Sequence, residues 1–151
     1  MIYCLRTNSN NLDFQRLVAA LDADLRNRDG EEHGFYAQFN KIDKIKEVVV
    51  AYDDERPVGC GAIKAFTPDS MEVKRMFVTP TSRGKGVASI ILKELEAWAV
   101  ELNASKCILE TGKRQPEAIR LYTKNAYCII PNFGQYENVE NSVCFEKILS
   151  S

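Results

Sequence analysis

Along residues 72–102 the hydrophobic pattern changes period once. Glu72-Val-Lys-Arg-Met-Phe-Val is rich in β-branched and apolar residues and predicts a strand. Further on, Ala88, Ile91, Leu92, Leu95, Trp98, Ala99 and Leu102 recur at i, i+3, i+4 and i+7, with Lys93, Glu94, Glu96 and Glu101 mostly off that stripe, which predicts a helix with one buried face. Between them lies the short basic loop Arg83-Gly84-Lys85-Gly86. The rest of the chain is organised around this strand, loop and helix.

Residues 1–7 alternate weakly and predict a first strand, and the polar cluster Asn8-Ser9-Asn10-Asn11 supplies a helix cap. Phe14, Leu17, Val18, Leu21 and Leu25 then give one apolar face to a helix that runs to about Arg28 and stops at Asp29-Gly30. Over residues 31–45 Phe35, Tyr36, Phe39, Ile42 and Ile45 keep helical spacing while His33-Gly34 interrupts it, so a short helix and loop are expected. Residues 47–53 and 58–66 read as a hairpin about the polar turn Asp53-Asp54-Glu55-Arg56, with Gly59 and Gly61 thinning its second strand. Thr67-Pro68-Asp69 turns the chain into the organising strand, expected over 70–79. Beyond the long helix come a strand at 106–111, a helix at 117–124 opened by Pro116, and strands at 127–131 and 142–149 joined by a loop holding Phe133 and Tyr136. Successive antiparallel strands followed by alternating helices and strands describe an α+β sheet covered by helices.

Composition narrows the function classes. A chain of 151 residues is the size of one domain, residues 1–151, with no repeat, low-complexity tract or linker inside it. A net charge of −1 and a pI near 5.9 argue against a nucleic-acid partner, which selects for a strongly basic face. No apolar run approaches the ~20 residues that span a bilayer, so no membrane role is expected. The five cysteines, Cys4, Cys60, Cys107, Cys128 and Cys144, are widely spaced and without a C-x-x-C pair; they read as buried thiols, and their odd number without a signal sequence reads as a cytoplasmic protein. His33 is the sole histidine, and no metal site is expected.

The glycines of the central loop let the backbone turn tightly into the helix without Cβ atoms in the way. The first-turn amides have no intrahelical partner and the helix dipole adds about half a positive charge, so this end suits a phosphate or pyrophosphate, with Arg83 and Lys85 adding two full charges. Residues 84–89 do not supply G-x-x-x-x-G-K-[ST], and Ser89 stands where G-x-G-x-x-G needs its third glycine. Both nucleotide motifs fail on spacing.

Read as Q/R-x-x-G-x-G/A, the run Arg83-Gly84-Lys85-Gly86-Val87-Ala88 resembles the acyl-CoA pyrophosphate loop of the GNAT superfamily of N-acetyltransferases. Upstream, Glu72-Val73-Lys74-Arg75-Met76-Phe77-Val78 is similar to that family's central strand. Downstream, Glu117-Ala118-Ile119-Arg120-Leu121-Tyr122-Thr123-Lys124-Asn125-Ala126-Tyr127 is similar to its second conserved helix. The resemblance covers roughly residues 47–148. It implies a mostly antiparallel mixed sheet of six to seven strands flanked by about four helices, and acetyl-CoA (coenzyme A) as cofactor.

It also implies roles. Arg83, Gly84, Lys85, Gly86, Val87, Ala88 and Ser89 would grip the pyrophosphate, and a bulge near Met76, Phe77 and Val78 would offer main-chain groups to the pantetheine arm and an amide to the oxyanion. Tyr122 would protonate the departing thiolate; Gln115 and Lys124 join the cofactor set, although Gln115 stands where many relatives have Asn. Ala126 stands where a helix-ending glycine is usual, so either Asn125 takes the left-handed stop or the turn is altered.

An alkyl amine with a pKa of about 10.4 costs ~4.6 kcal/mol to deprotonate at neutral pH, so transfer to it needs a base or a water relay. Glu72, eleven positions before Arg83, sits at the offset of the family's strand glutamate; ordered water is the alternative. Strand alternation puts Glu72 and Lys74 on one face and Val73 and Arg75 on the other, up to the bulge. The acceptor, a primary amine on a small molecule, amino acid or peptide, would meet Glu31, Glu32, Phe35, Tyr36 and the loop of residues 132–138. Two other readings compete: an acyl-CoA sensor without turnover, and a structural domain associating through Phe133 and Tyr136. The resemblance also admits a homodimer.

Overall fold

The computed structural model describes residues 1–29 and 44–149. Seven strands, β1 (Ile2–Thr7), β2 (Glu47–Asp53), β3 (Arg56–Thr67), β4 (Ser70–Val78), β5 (Lys106–Gly112), β6 (Cys128–Ile130) and β7 (Ser142–Ile148), form one mixed sheet in the order β1-β2-β3-β4-β5-β7-β6. Among the described residues there are three α-helices, α1 (Leu12–Asp29), α2 (Val87–Glu101) and α3 (Pro116–Lys124), with single 3-10 turns at Pro80–Ser82 and Gly134–Tyr136. This is the α+β class that the hydrophobic pattern predicts. The further helix and loop expected over residues 31–45, with Glu31, Glu32, His33, Phe35 and Tyr36, lie almost wholly outside the described residues.

The chain packs as two compact units. The first comprises Met1–Lys64 and Val73–Leu95. Here β1 runs antiparallel to β2, with Tyr3 opposite Tyr52 and Leu5 opposite Val50, and β2 runs antiparallel to β3, with Val49 opposite Gly61. Asn11 starts α1: its side-chain oxygen accepts the Phe14 amide at 2.9 Å. The apolar stripe of that helix, Phe14, Leu17, Val18 and Leu21, then packs on Val48, Val50, Tyr52, Cys60, Ala62 and Phe77. Each fully buried aliphatic side chain contributes about 1.5–3 kcal/mol. The glycines of β3 admit α2 to close range: a Cβ on Gly59 would lie 2.9 Å from Ile91 Cδ1 and from the Phe77 carbonyl, and one on Gly61 would lie 2.5 Å from Met76 Sδ.

The second unit comprises Ala65–Glu72 and Glu96–Ser151. The start of β4 pairs with β5 in parallel, Ser70 with Lys106, Met71 with Cys107 and Glu72 with Ile108. β5 pairs antiparallel with β7, which places Leu109 beside Phe145 and Glu110 beside Cys144. Cys107, Leu109, Tyr122, Tyr127, Tyr136 and Phe145 are buried. Tyr127 donates its phenol proton to Glu96 at 2.9 Å, and Lys147 pairs with the same carboxylate at 2.8 Å.

Three expectations need correction. The stripe of α2 is buried at Ala99, but Trp98 is half-buried and Leu102, just past the helix end at Glu101, is 42% exposed. All five thiols are free, but Cys128 is exposed and Cys4 half-buried, since both lie on the outermost strands, which have a neighbour on one side only. Tyr136 is buried against Phe133, ring centroids 5.9 Å apart, so it offers no surface for an association patch.

Candidate active site

The loop between β4 and α2 carries the clearest ligand geometry. After the 3-10 turn the backbone passes through two left-handed residues, Gly84 at φ 79° and Gly86 at φ 82°. α2 begins at Val87, and the Ile90 amide donates to the Gly86 carbonyl at 3.1 Å. Val87, Ala88 and Ser89 thus form the first turn of the helix. No atom lies within 4 Å of where a Cβ on Gly84 or Gly86 would stand, so the loop presents open backbone to one side. Lys85 is exposed beside it. Arg83 is tethered inward: its Nε donates to the Val78 carbonyl at 2.9 Å, its guanidinium carbon sits 5.6 Å from the Phe77 ring centre, and an Nη lies 3.9 Å from Asp24.

In β4 Arg75, the residue before the expected bulge at 76–78, is left-handed at φ 62°. Arg75 is 2% exposed and reaches Asp22 of α1 at 3.5 Å, while its carbonyl accepts the Cys60 thiol proton at 3.3 Å. Beyond it Phe77 joins the core under α1, whereas the Met76 sulfur occupies the space beside Gly61. Burial pushes the Cys60 thiol up to about 12, against the opposing pull of the Arg75 charge.

In the second unit Tyr122 lies on α3, which Gln115 precedes and Pro116 opens. The phenol is buried between Tyr127 and Phe145, at ring-centroid distances of 5.7 and 5.9 Å. Burial first, and the Glu110 charge second, push its pKa up. Among the described residues its hydroxyl makes no hydrogen bond. At the helix end the left-handed residue is Ala126, at φ 72°, while Asn125 stays at φ −94° and caps the Leu121 carbonyl with its side chain at 2.9 Å. Gln115 is half-buried, and Lys124 is exposed in the last turn.

Glu72 is buried, 8% exposed. The register places it next to Ile108, and Glu110, two residues along β5, shares that face. Glu110 accepts the Ser142 hydroxyl proton at 2.7 Å. Tyr136 and Cys144 face both carboxylates: burial raises each proton affinity, with Glu110 and Glu72 adding to it. Sequence reading passes over Glu110, although an acidic residue inside the apolar run of β5 is the signal that marks it. It also misses Asp22 and Asp24, which look like any polar positions of an amphipathic helix. Among the described residues no helix is long and apolar enough to cross a membrane.

Comparison with known proteins points to one family. The family profile described as the acetyltransferase (GNAT) family matches residues 14–127. An IAA acetyltransferase of Azospirillum brasilense is 41% identical over 93 residues, and an uncharacterized N-acetyltransferase, YjcF, of Bacillus subtilis is 31% identical over 93 residues. These alignments cover 61% and 62% of this chain, and 61% and 64% of the length of those relatives. Among solved structures, a candidate acyl-CoA N-acyltransferase from Klebsiella pneumoniae superposes with a TM-score of 0.83 at 28% identity over 99% of both chains. The PaiA N-acetyltransferase of Thermoplasma acidophilum, solved with coenzyme A, superposes with a TM-score of 0.71 at 15% identity over 98% of this chain and 99% of that one. With a matching profile over most of its length and the glycine loop opening α2, this chain belongs to the GNAT family of acetyltransferases.

Proposed function

We propose that the chain is an N-acetyltransferase that moves an acetyl group from acetyl-CoA to a primary amine of a small molecule, amino acid or peptide, by direct attack in a ternary complex. The observation that carries this reading is the open, left-handed backbone at Gly84 and Gly86 immediately ahead of α2. A diphosphate fits that cradle by charge and by space, since a Cβ at either glycine would fill it. Lys85 and the amides of Val87, Ala88 and Ser89 hold it, and hydrogen bonds to charged groups contribute about 1.5–3 kcal/mol each. Arg83 adds its charge from the tethered position, Gln115 and Lys124 complete the cofactor set, and the main chain of Met76, Phe77 and Val78 beyond the left-handed Arg75 supports the amide-bearing arm.

Acetyl-CoA supplies an acetyl group activated as a thioester. In the transfer the amine nitrogen bonds to the acetyl carbon and the carbon–sulfur bond breaks. Glu72 receives the proton released by nitrogen, directly or through water, and Tyr122 gives one to sulfur. Burial keeps the Tyr122 phenol protonated and also makes it a weaker acid. With both groups at their reference values, about 10 for the phenol and about 8.5 for the thiol, the donation is uphill by ~2 kcal/mol; the raised Tyr122 pKa steepens it, and desolvation of the thiolate in the same apolar surroundings acts in the opposite direction.

Calorimetry with coenzyme A, followed by thiol release from acetyl-CoA against a panel of amines, tests the reading. Saturable binding and amine-dependent release are expected. Binding without release for any amine favours the acyl-CoA sensor, and absence of binding removes both.

A further inference from the structure

We propose that Asp22 and Asp24 of α1 are positioning residues for the cofactor segment, holding Arg75 just ahead of residues 76–78 and Arg83 at the start of the glycine loop. The inference rests on the reading that residues 76–89 receive acetyl-CoA.

Arg75 precedes Met76 and Arg83 opens the glycine loop, so one arginine stands just before the residues assigned to pantetheine and the other at the start of those assigned to pyrophosphate. Each is held by a carboxylate of the same helix. Asp22 lies 3.5 Å from Arg75 Nη1, and Asp24 lies 3.9 Å from Arg83 Nη2. Two residues apart on an α-helix is about 200° around the axis, so the carboxylates leave α1 on opposite flanks. The helix between them is anchored by Phe14, Leu17, Val18 and Leu21 in the core that also holds Phe77. It therefore offers two fixed points to a strand end that departs from regular pairing.

The two arginines need this for different reasons. At Arg75 a residue with a Cβ occupies a left-handed conformation, which persists only where its surroundings over-determine it. A buried guanidinium beside the half-exposed Asp22 and a carbonyl held by the Cys60 thiol are such constraints, and they aim the peptide groups that follow. At Arg83 the Val78 carbonyl and the Phe77 ring fix one edge and one face of the guanidinium, and Asp24 fixes an Nη. The side chain meets a diphosphate already ordered, so less rotamer freedom is lost on binding. The Asp24 pair is partly exposed, which makes its effect smaller than that of the Asp22 pair.

The test uses the full chain and its Asp22→Asn, Asp24→Asn and Asp24→Glu variants, with calorimetry of acetyl-CoA, steady-state kinetics, and circular dichroism to show that each is folded. Asp24→Asn is expected to raise the Kd and KM for acetyl-CoA about two- to fivefold with kcat held within about twofold, and Asp24→Glu to restore them. Asp22→Asn, which leaves a buried guanidinium without its carboxylate, is expected to raise both by about tenfold. A purely structural role lowers the melting temperature and leaves the Kd of the folded protein unchanged; that result in both variants overturns the proposal, as does tighter binding. If the unmodified chain binds no coenzyme A, the cofactor reading falls and this inference with it; binding that is equal in all four proteins removes this inference alone.

Discussion

The amide of Tyr127 donates to the carbonyl of Tyr122 at 3.0 Å while their rings stand 5.7 Å apart, edge to face. With the Ala126 amide on the Thr123 carbonyl at 3.2 Å, this is a Schellman closure of α3 with its apolar contact. The proposed proton donor is thus fixed at the helix end by main chain and ring together.

That closure puts Ala126 at φ 72°, where glycine has no Cβ to strain. Ala126→Gly is expected to stabilise the protein by about 0.5–1 kcal/mol, net of the added freedom of the unfolded chain. Urea unfolding measures it, and a loss of stability would show that the turn relaxes some other way.

Tyr122→Phe keeps the ring packing on Tyr127 and Phe145 and deletes a hydroxyl without a hydrogen-bond partner among the described residues. A fall in kcat of about 10²-fold or more is expected, with the KM for acetyl-CoA unchanged and the melting temperature nearly so. Full turnover in this variant would remove the proton-donor role.

Gly86→Val should leave the fold in place, because nothing stands within 4 Å of the new Cβ. The left-handed backbone makes it costly by about 1–2 kcal/mol, and the side chain fills the cradle. The apparent KM for acetyl-CoA is expected to rise about tenfold or more, a loss of roughly 1.4 kcal/mol of binding. An unchanged KM in a folded variant would refute the loop assignment.

Gly59 and Gly61 both face α2, yet their alanine variants should differ. At Gly59 the new methyl meets a backbone oxygen at 2.9 Å, which cannot swing away; at Gly61 the nearest atoms are side-chain ends of Met76 and Leu95. Gly59→Ala is expected to cost about 1–3 kcal/mol and Gly61→Ala less. The reverse order in denaturant melts would contradict this packing.

Buried thiols set the alkaline limit. Burial holds Cys60 and Cys107 up at about 12 and Cys144 at about 11, from an ordinary value of 9.0. A raised native pKa means that the unfolded chain releases protons first as pH climbs. The stabilisation is complete below pH 9 and declines as pH rises through the folded values. Melting temperatures should therefore be flat near neutrality and fall above about pH 9, with Cys60→Ala flattening the decline; a flat profile to pH 11 would sink the assignment.

Periodicity and turn chemistry alone determined the strand, glycine loop and helix at residues 72–102, the Asn11 cap and the proline start of α3. Each of these is written within one turn or one pleat of chain, where local sterics and hydrogen bonds decide. Tertiary structure decided the rest. The left-handed Arg75 has its guanidinium beside Asp22, far away in sequence, and Glu110 stands beside Glu72 only because β5 pairs with β4 in that register. Ala126 takes the left-handed position because Tyr127 must pack on Tyr122, a preference that Asn125, the better residue for such a turn in isolation, does not override. Ion pairs and register are contacts between distant segments, and no local pattern of residues encodes which segments meet.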